Sequence, residues 1–123
     1  MSEQKNGDLK DRTYNFSLQV VELYKTLPDD NTAQELGKKL INSGTLVGST
    51  TRAAFRGRNN QNFVDKLKLI IKEADECIFW IDLLIDAKVI GEEDGIALIT
   101  EASEIIAIFI SIIKKNKQQH YNN

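Results

Sequence analysis

The side chains able to do acid–base or metal chemistry are few and poorly placed for it. His120, the sole histidine, falls in a polar C-terminal stretch, where we expect no rigid neighbour to orient it as a base. Glu73 and Glu76 share a face of any helix and could bind a metal or move a proton, but a solvated helix surface is the commoner outcome for such a pair. Cys77, the one cysteine, lies on an apolar row and is predicted to be a small core residue. We therefore predict no enzyme activity, no cofactor and no metal site.

Two patterns that would bind a cofactor in a helical or nucleotide-binding protein are missing. Di-iron bundles place paired glutamates and Glu-x-x-His motifs on facing helices, and this chain has no such motif. Gly44 and Gly48 do not form a phosphate-binding loop, because no strand precedes them and no Gly-Lys-Ser/Thr follows. Their spacing of four residues instead suits the close approach of two helices. The chemistry of the chain therefore depends on surfaces formed by its helices.

The spacing of apolar residues predicts four helices. Pro28 ends the first, the run from Thr32 to Glu35 is interpreted as a capping box that starts the second, and Asn59 and Asn60 mark the next loop and cap. Glu92, Glu93 and Asp94 follow Gly91 and open the fourth helix with favourable negative charge. The predicted core rows are Phe16, Val20, Leu23, Tyr24 and Leu27; Leu36, Leu40, Ser43, Val47, Thr50 and Ala54; Phe63, Leu67, Ile70, Ala74, Cys77, Ile81 and Leu84; and Ile96, Ile99, Ser103, Ile106, Ile110 and Ile113.

Short connections make consecutive helices antiparallel, so we predict an all-α, up-down-up-down four-helix bundle. Residues 9–115 are assigned to the bundle, 1–8 to a flexible N-terminal segment and 116–123 to a flexible polar tail. A single cysteine fits a reducing compartment, so the cytoplasm is expected. We expect no contact with a membrane, since the apolar stretch over residues 105–113 is far shorter than the roughly 20 residues of a spanning helix.

Two features of this pattern go beyond a single bundle core. Glycine is unfavourable inside a helix, and with antiparallel register Gly37 would face Trp80 and Gly44 would face Glu73, so we predict that these glycines make room for the third helix. The fourth helix also carries more isoleucine than one core face needs. We interpret the surplus as a subunit interface, although a broad core face remains open as an alternative. The candidate interface residues are Ile105, Ile108 and Ile112.

Charge is segregated along the chain although the net charge is only -2. Residues 38–72 hold eight basic side chains and one acidic one, whereas residues 73–104 hold ten acidic and one basic. Antiparallel threading gathers basic residues at the end of the bundle that contains the loop between the second and third helices. This end would attract phosphate groups or an acidic protein surface. The candidate nucleic-acid contacts are Arg52, Arg56, Arg58 and Lys66.

The central run from Leu40 to Arg58, with Ser43-Gly44-Thr45 and its spaced arginines, resembles a bacterial family of four-helix bundles. The run from Glu73 to Leu84, with Glu-Ala-Asp-Glu and nearby Trp80, is similar to the same family, which is named for proteins encoded in intervening sequences of 23S ribosomal RNA genes. The resemblance covers roughly residues 10–115. It implies an all-α bundle that assembles as a cyclic homopentamer.

One branch of this family serves as the accessory variability protein of diversity-generating retroelements, which binds a reverse transcriptase and nucleic acid. Arg52, Arg56 and Arg58 match the family pattern, and the resemblance implies that they are candidate contacts for nucleic acid. Our first hypothesis is a non-enzymatic, self-assembling binding or scaffold protein. The alternative is a nucleic-acid-binding accessory factor that uses the basic end of the bundle with RNA, DNA or a reverse transcriptase as partner.

Overall fold

The computed structural model describes the backbone of residues 2–56 and 62–122 and the side chains of residues 8–56 and 62–119. Over these residues the chain forms four helices and no strand: α1 is Ser2–Lys25, α2 is Asn31–Arg56, α3 is Phe63–Asp86 and α4 is Glu92–Asn122. Each helix packs along the next one in the chain, and α1 also contacts α4, although much less extensively. The predicted all-α four-helix bundle is confirmed.

Consecutive helices run antiparallel. On α2, Gly37 lies against Tyr24 of α1 while Gly48 lies against Ser17, so residue numbers fall along one helix as they rise along the other. The connections over residues 26–30 and 87–91 are too short to return the chain to the far end of a helix. Both termini therefore lie at the same end of the bundle as the end of α2 and the start of α3.

The core rows predicted for the first three helices are confirmed. Every predicted row residue on α3 is buried, and on α1 and α2 only Tyr24 and Leu36 are half-buried. Alternation of three and four residues keeps such a row on one side of a helix, which is why it identifies the buried face. The largest fully buried side chains include Phe16, Val20, Leu40, Val47, Leu67, Ile70, Ile81, Leu84, Ile105 and Phe109.

The row predicted for α4 is wrong. The buried face of α4 consists of Leu98, Ala102, Ile105 and Phe109, whereas Ile96 is 53% exposed and Ile110 is 40% exposed. This also corrects the candidate interface, since Ile105 is fully buried within its own bundle and has no surface to offer a second subunit. The physical reason is that α4 is apolar on several sides, so that the spacing of its residues fits two different buried rows. The packing of α3 and α1 against α4 buries the row with Ile105 and leaves the row with Ile110 outside.

Helix ends also differ from the expectation. Asp30, and not Thr32, caps α2: its Oδ1 accepts a hydrogen bond from the Ala33 N–H at 2.9 Å, so the helix begins at Asn31. The predicted loop residues Asn59 and Asn60 lie outside the described residues. The segments predicted to be flexible, 1–8 and 116–123, are helical in the structure over residues 2–8 and 116–122, and their flexibility stays a prediction.

The glycines of α2 face α1, which corrects the prediction that they make room for α3. A Cβ atom on Gly44 would lie 2.7 Å from Val20 Cγ1 and 2.9 Å from Val20 Cβ. Ser17 Oγ donates to the Gly44 carbonyl at 2.7 Å and accepts from the Gly48 N–H at 3.0 Å. The missing side chains thus let α1 approach the backbone of α2 closely enough for a direct hydrogen bond.

Lys88 ends α3 in a conformation that favours glycine. Its φ is 62°, and the Lys88 and Val89 N–H groups donate to the carbonyls of Ile85 and Leu84, both at 2.9 Å, which is the Schellman arrangement. We expect Lys88→Gly to raise the free energy of unfolding by about 0.5–1 kcal/mol, measured by urea denaturation. The control, Ala87→Gly at a residue with φ of -77°, is expected to lower it. A lower stability for Lys88→Gly would contradict this interpretation.

Candidate binding surfaces

One row on the exposed side of α4 is rich in isoleucine. It consists of Glu92, Ile96, Ile99, Ser103, Ile106, Ile110, Ile113 and Lys117, and we call it the α4 outer row. Ile96 and Ile110 are exposed, while Ile99, Ile106 and Ile113 are half-buried against the bundle core. Exposed isoleucine on the surface of a helix is unfavourable in water, so this row is a candidate contact for another macromolecule.

The other predicted interface residues behave differently from Ile105. Ile108 and Ile112 are half-buried against the core. Ile108 follows Glu101, which binds Arg12 of α1, by seven residues, so this side of α4 faces α1. Both isoleucines lie near the least extensive contact in the bundle, that between α1 and α4. Their role in a subunit interface stays a prediction.

Arg12 of α1 forms ion pairs with two carboxylates of α4. Its Nε donates to Glu101 Oε2 at 2.7 Å, and its Nη2 donates to Glu101 Oε1 at 2.8 Å and to Glu104 Oε1 at 3.0 Å. The hydrogen bonds to Glu101 raise the pKa of Arg12 above its ordinary value, with a smaller contribution from Glu104. A two-pronged pair of this kind sets orientation as well as distance. Arg12 is therefore held by two carboxylates and is a poor candidate for binding a phosphate.

The basic end contains three of the four candidate nucleic-acid contacts within the described residues. Arg52 and Arg56 are exposed and lie one helical turn apart at the end of α2, and Lys66 is half-buried near the start of α3. None of the three forms an ion pair among the described side chains. Arg58 lies outside the described residues.

These three residues do not share one face. Arg52 follows Gly48, which touches α1, by one turn, so Arg52 lies toward the α1 side of α2. Lys66 precedes Trp80 by two heptads, so both residues lie on the same side of α3. The Trp80 ring has Lys39 Nζ of α2 over it, at 5.9 Å from the ring centroid. Lys66 therefore lies on the opposite side of α2 from Arg52. The predicted contacts therefore surround the basic end and do not form a single groove.

An exposed aromatic pair was missed by the sequence reasoning. Phe79 is 54% exposed, and its ring centroid lies 4.9 Å from that of half-buried Trp80 in an edge-to-face arrangement. The one available signal was that both residues fall outside the predicted row of α3. Aromatic side chains exposed next to each other are common anchors in protein interfaces.

Glu73, Glu76 and Cys77 form no metal site. Among the described residues no group of three or more His, Cys, Asp or Glu side chains could hold a metal ion. No buried side-chain polar atom in this part of the chain lacks a hydrogen-bond partner. His120 lies outside the described side chains.

Cys77 is fully buried, as predicted for a core residue. Burial raises the pKa of its thiol to about 12, helped by the negative charges of Glu73 and Glu76. Because an unfolded thiol ionises near pH 8.5, the stability associated with the neutral thiol is present below that pH and is lost as the pH rises toward 12.

We therefore expect the free energy of unfolding to fall by about 1.5 kcal/mol more between pH 8 and pH 10 in the native protein than in Cys77→Ala. Urea denaturation of both proteins at the two pH values measures this difference. Cys77→Ala serves as the control, because it lacks the thiol but retains every lysine and tyrosine that titrates in the same pH range. Equal pH dependence in the two proteins would show that the thiol is not protected from ionisation.

The apolar character of α4 raises the question of a membrane. Within the described residues it is the one helix that could cross a bilayer by length and composition, over Glu92–Gln119, since its most apolar 18-residue stretch has a mean hydropathy of 2.2. The core helix of a soluble protein passes the same test. Leu98, Ile105 and Phe109 are buried against other helices, and Glu101 and Glu104 pair with Arg12 midway along the helix. We therefore interpret α4 as a core helix of a soluble bundle.

Together these features define an up-down-up-down helical bundle with an apolar outer row and a basic end. A family model described as 23S rRNA-intervening sequence protein matches residues 5–111, and the chain belongs to this family. The resemblance seen in the sequence is thereby confirmed. No curated protein matches the chain.

A solved structure supports the same assignment. The chain is 33% identical to a protein of unknown function from the S23 ribosomal protein family of Bacteroides thetaiotaomicron, whose crystal structure was determined at 1.70 Å resolution. The match has a TM-score of 0.82 and covers 89% of this chain and 98% of that one. The two chains therefore share the same fold over nearly the whole length of the solved structure.

Proposed function

We propose that this protein is a non-enzymatic binding or scaffold protein that acts in the cytoplasm as a self-assembled four-helix bundle. The observation that carries the proposal is the α4 outer row, in which Ile96 and Ile110 are exposed on a helix whose other face already fills the core. A second subunit covering this row would remove apolar surface from water.

Light scattering coupled to size-exclusion chromatography tests this proposal. We expect a mass several times that of the 13.9 kDa chain, and the family resemblance implies five subunits. A monomer at all concentrations up to about 100 µM would reject self-assembly, since dissociation constants of stable homo-oligomers lie well below this value.

A second candidate function is nucleic-acid binding by the basic end, alone or together with a reverse transcriptase. The observation that favours it is that Arg52, Arg56 and Lys66 lie at one end of the bundle without an ion pair among the described side chains. Unpaired basic side chains lose little when they bind phosphate, because no existing salt bridge must be broken. Their arrangement around the end suits a phosphate backbone that crosses it more than recognition of one base.

The test measures binding of fluorescent single- and double-stranded RNA and DNA at low and physiological salt. We expect binding that weakens with salt and is lost in the triple variant Arg52→Ala, Arg56→Ala and Arg58→Ala. The matched control replaces Lys25, Lys38 and Lys88 with alanine, which removes the same charge from the other end of the bundle. No binding at low salt, or equal loss in both triple variants, would reject a specific role of the basic end.

A further inference from the structure

The outward face of α3 carries an exposed phenylalanine among charged residues. Along the middle of this face runs a row of exposed side chains, which we call the α3 outer row: Lys68, Lys72, Asp75, Phe79, Asp82 and Asp86. Its members follow one another at alternating intervals of four and three residues, which keeps them on one line along the helix. This line lies opposite the buried row that contains Ala74 and Ile81, so it points away from the bundle.

The charge along the α3 outer row changes sign. Two lysines occupy its first turns, whereas the later turns hold Phe79 with three aspartates around it. Glu76, which is half-buried and lies three residues before Phe79, adds a fourth carboxylate. None of these four carboxylates forms an ion pair among the described side chains. The later half of the row is therefore an aromatic ring framed by unpaired negative charge.

A cation of the chain itself already lies against the neighbouring aromatic ring. Phe79 contacts Trp80 edge-to-face with ring centroids 4.9 Å apart, and Lys39 Nζ lies 5.9 Å from the centroid of the Trp80 ring. The negative face of an aromatic ring attracts ammonium and guanidinium groups, and carboxylates beside the ring add Coulomb attraction. Lys39 takes this position at Trp80, whereas Phe79 is 54% exposed and its ring remains open to a cation from outside.

A second exposed aromatic residue lacks the negative charge that surrounds Phe79. Tyr14 of α1 is also 54% exposed, but the residues one helical turn away from it include one acid and one base: Lys10, Asp11, Ser17 and Leu18. The corresponding residues around Phe79 include three acids and no base: Asp75, Glu76, Asp82 and Leu83. Since α1 packs against α2 and α4 and not against α3, the two rings lie on different sides of the bundle.

The charge and the length of this surface indicate its occupant. Carboxylates repel nucleic acid, so a positively charged partner is complementary to the surface. A single small cation is too short to reach all of them, because Asp75 and Asp86 are eleven residues apart, or about 16 Å along the helix. A polypeptide with several basic side chains spans this distance. Arginine suits both kinds of neighbour, since its guanidinium group stacks on aromatic rings and pairs with carboxylates.

We propose that the later half of the α3 outer row, with Phe79 at its centre, binds an arginine-rich segment of a partner protein. The proposal rests on the binding role proposed above and names the kind of partner. The Phe79 ring receives one guanidinium group, while Asp75 and Asp82, one turn to either side, pair with neighbouring basic side chains. Lys68 and Lys72 repel the segment from the first turns of α3, which directs it toward the acidic end of the bundle.

Fluorescence anisotropy with a labelled peptide of nine arginines tests the role of the ring. We expect binding at low salt that is weakened about threefold or more in Phe79→Ala, as for the loss of a cation–π contact. Tyr14→Ala is the matched control, because it removes an equally exposed ring from α1 and should leave the affinity unchanged. Circular dichroism checks that both variants remain helical.

A peptide of nine lysines separates ring binding from charge alone. It carries the same charge, but an ammonium group does not stack on a ring as a guanidinium group does. We expect the native protein and Tyr14→Ala to prefer the arginine peptide, and Phe79→Ala to bind both peptides equally. A preference for arginine that persists in Phe79→Ala would overturn the proposal.

A pair of double variants tests the carboxylates. Asp75→Asn with Asp82→Asn removes the two charges one turn from Phe79, and we expect it to weaken binding of the arginine peptide about tenfold. Asp8→Asn with Asp11→Asn is the matched control, since it removes the same charge from exposed positions on α1. Equal losses in the two double variants would show attraction to net charge and would reject the proposed surface.

The outcomes separate this inference from the function on which it rests. An assembled protein that does not bind the arginine peptide at low salt rejects the inference and leaves self-assembly standing. A monomeric protein whose binding is lost in Phe79→Ala alone supports the inference and rejects self-assembly. If light scattering shows that Phe79→Ala changes the mass of the native assembly, the ring lies in a contact between subunits and the inference is wrong.

Discussion

Ile105→Ala is expected to lower the free energy of unfolding by about 2–5 kcal/mol, because the substitution leaves a cavity at a fully buried position on α4. Ile110→Ala, on the exposed row of the same helix, is expected to lower it by less than about 1 kcal/mol. The two substitutions remove the same atoms and differ only in which side of α4 they touch. Urea denaturation followed by circular dichroism measures both.

This comparison should be made at low protein concentration. If α4 pairs with a second copy, Ile110→Ala also weakens that contact, and its apparent effect on stability then grows with concentration. The effect of Ile105→Ala should not change with concentration in this way. An effect of Ile110→Ala at high dilution equal to that of Ile105→Ala would show that the originally predicted row is the buried one.

Gly44→Ala is expected to lower the free energy of unfolding by about 1–3 kcal/mol, although alanine favours a helix by about 1 kcal/mol relative to glycine. The added Cβ would lie within 3 Å of three side-chain atoms of Val20, a β-branched residue with few rotamers to which it could move. Gly91→Ala is the control, since its Cβ would meet no atom within 4 Å. Thermal and urea denaturation measure the two variants.

A double variant tests the cause of this effect. Val20→Ala creates space opposite Gly44, so Gly44→Ala should cost less in the Val20→Ala background than in the native protein. Additive losses would show that the glycine is needed for another reason. Gly37→Leu belongs to the same test, since Gly37 is packed against Leu27 and Tyr24, and an unchanged stability would contradict close packing of α1 and α2.

The parts of the fold that could be predicted were those in which the spacing of apolar residues along a helix indicated a single buried face. The helices α1, α2 and α3 each contain one apolar row with alternating spacing of three and four residues, so the buried face followed from the positions of residues such as Val20, Val47 and Ile70. The short connections then dictated antiparallel neighbours. The family was also recognisable from residues 40–58 and 73–84.

Predictions failed where several local solutions were available. The isoleucines of α4 allowed two parallel rows, and the choice between Ile105 and Ile106 as a core residue depends on the helices packed against it. Asp30 and Thr32 are both good cap residues, and the observed cap depends on where the chain turns after Pro28. The partner of Gly44 could not be derived from one hairpin, since it faces the other neighbouring helix.

Some features of the candidate sites could also be predicted from the sequence, whereas others could not. Exposure of Arg52 and Arg56 followed from their positions outside the predicted row, whereas the pairing of Arg12 with Glu101 joins residues 89 positions apart and could not be seen in either helix alone. The apolar surface of α4 was expected, but its location was not. The exposed pair of Phe79 and Trp80 became visible only with the packing of α3 known.

The sequence by itself therefore determined the helical class, the order of the four helices, the charge separation between the two ends and the family, because these depend on residue type and spacing along one chain. Only the tertiary structure decided which row of α4 is buried, which neighbour the α2 glycines meet and which arginines remain unpaired. Each of these depends on side chains from another helix, and the free energy of packing them is not recorded in the spacing of either helix.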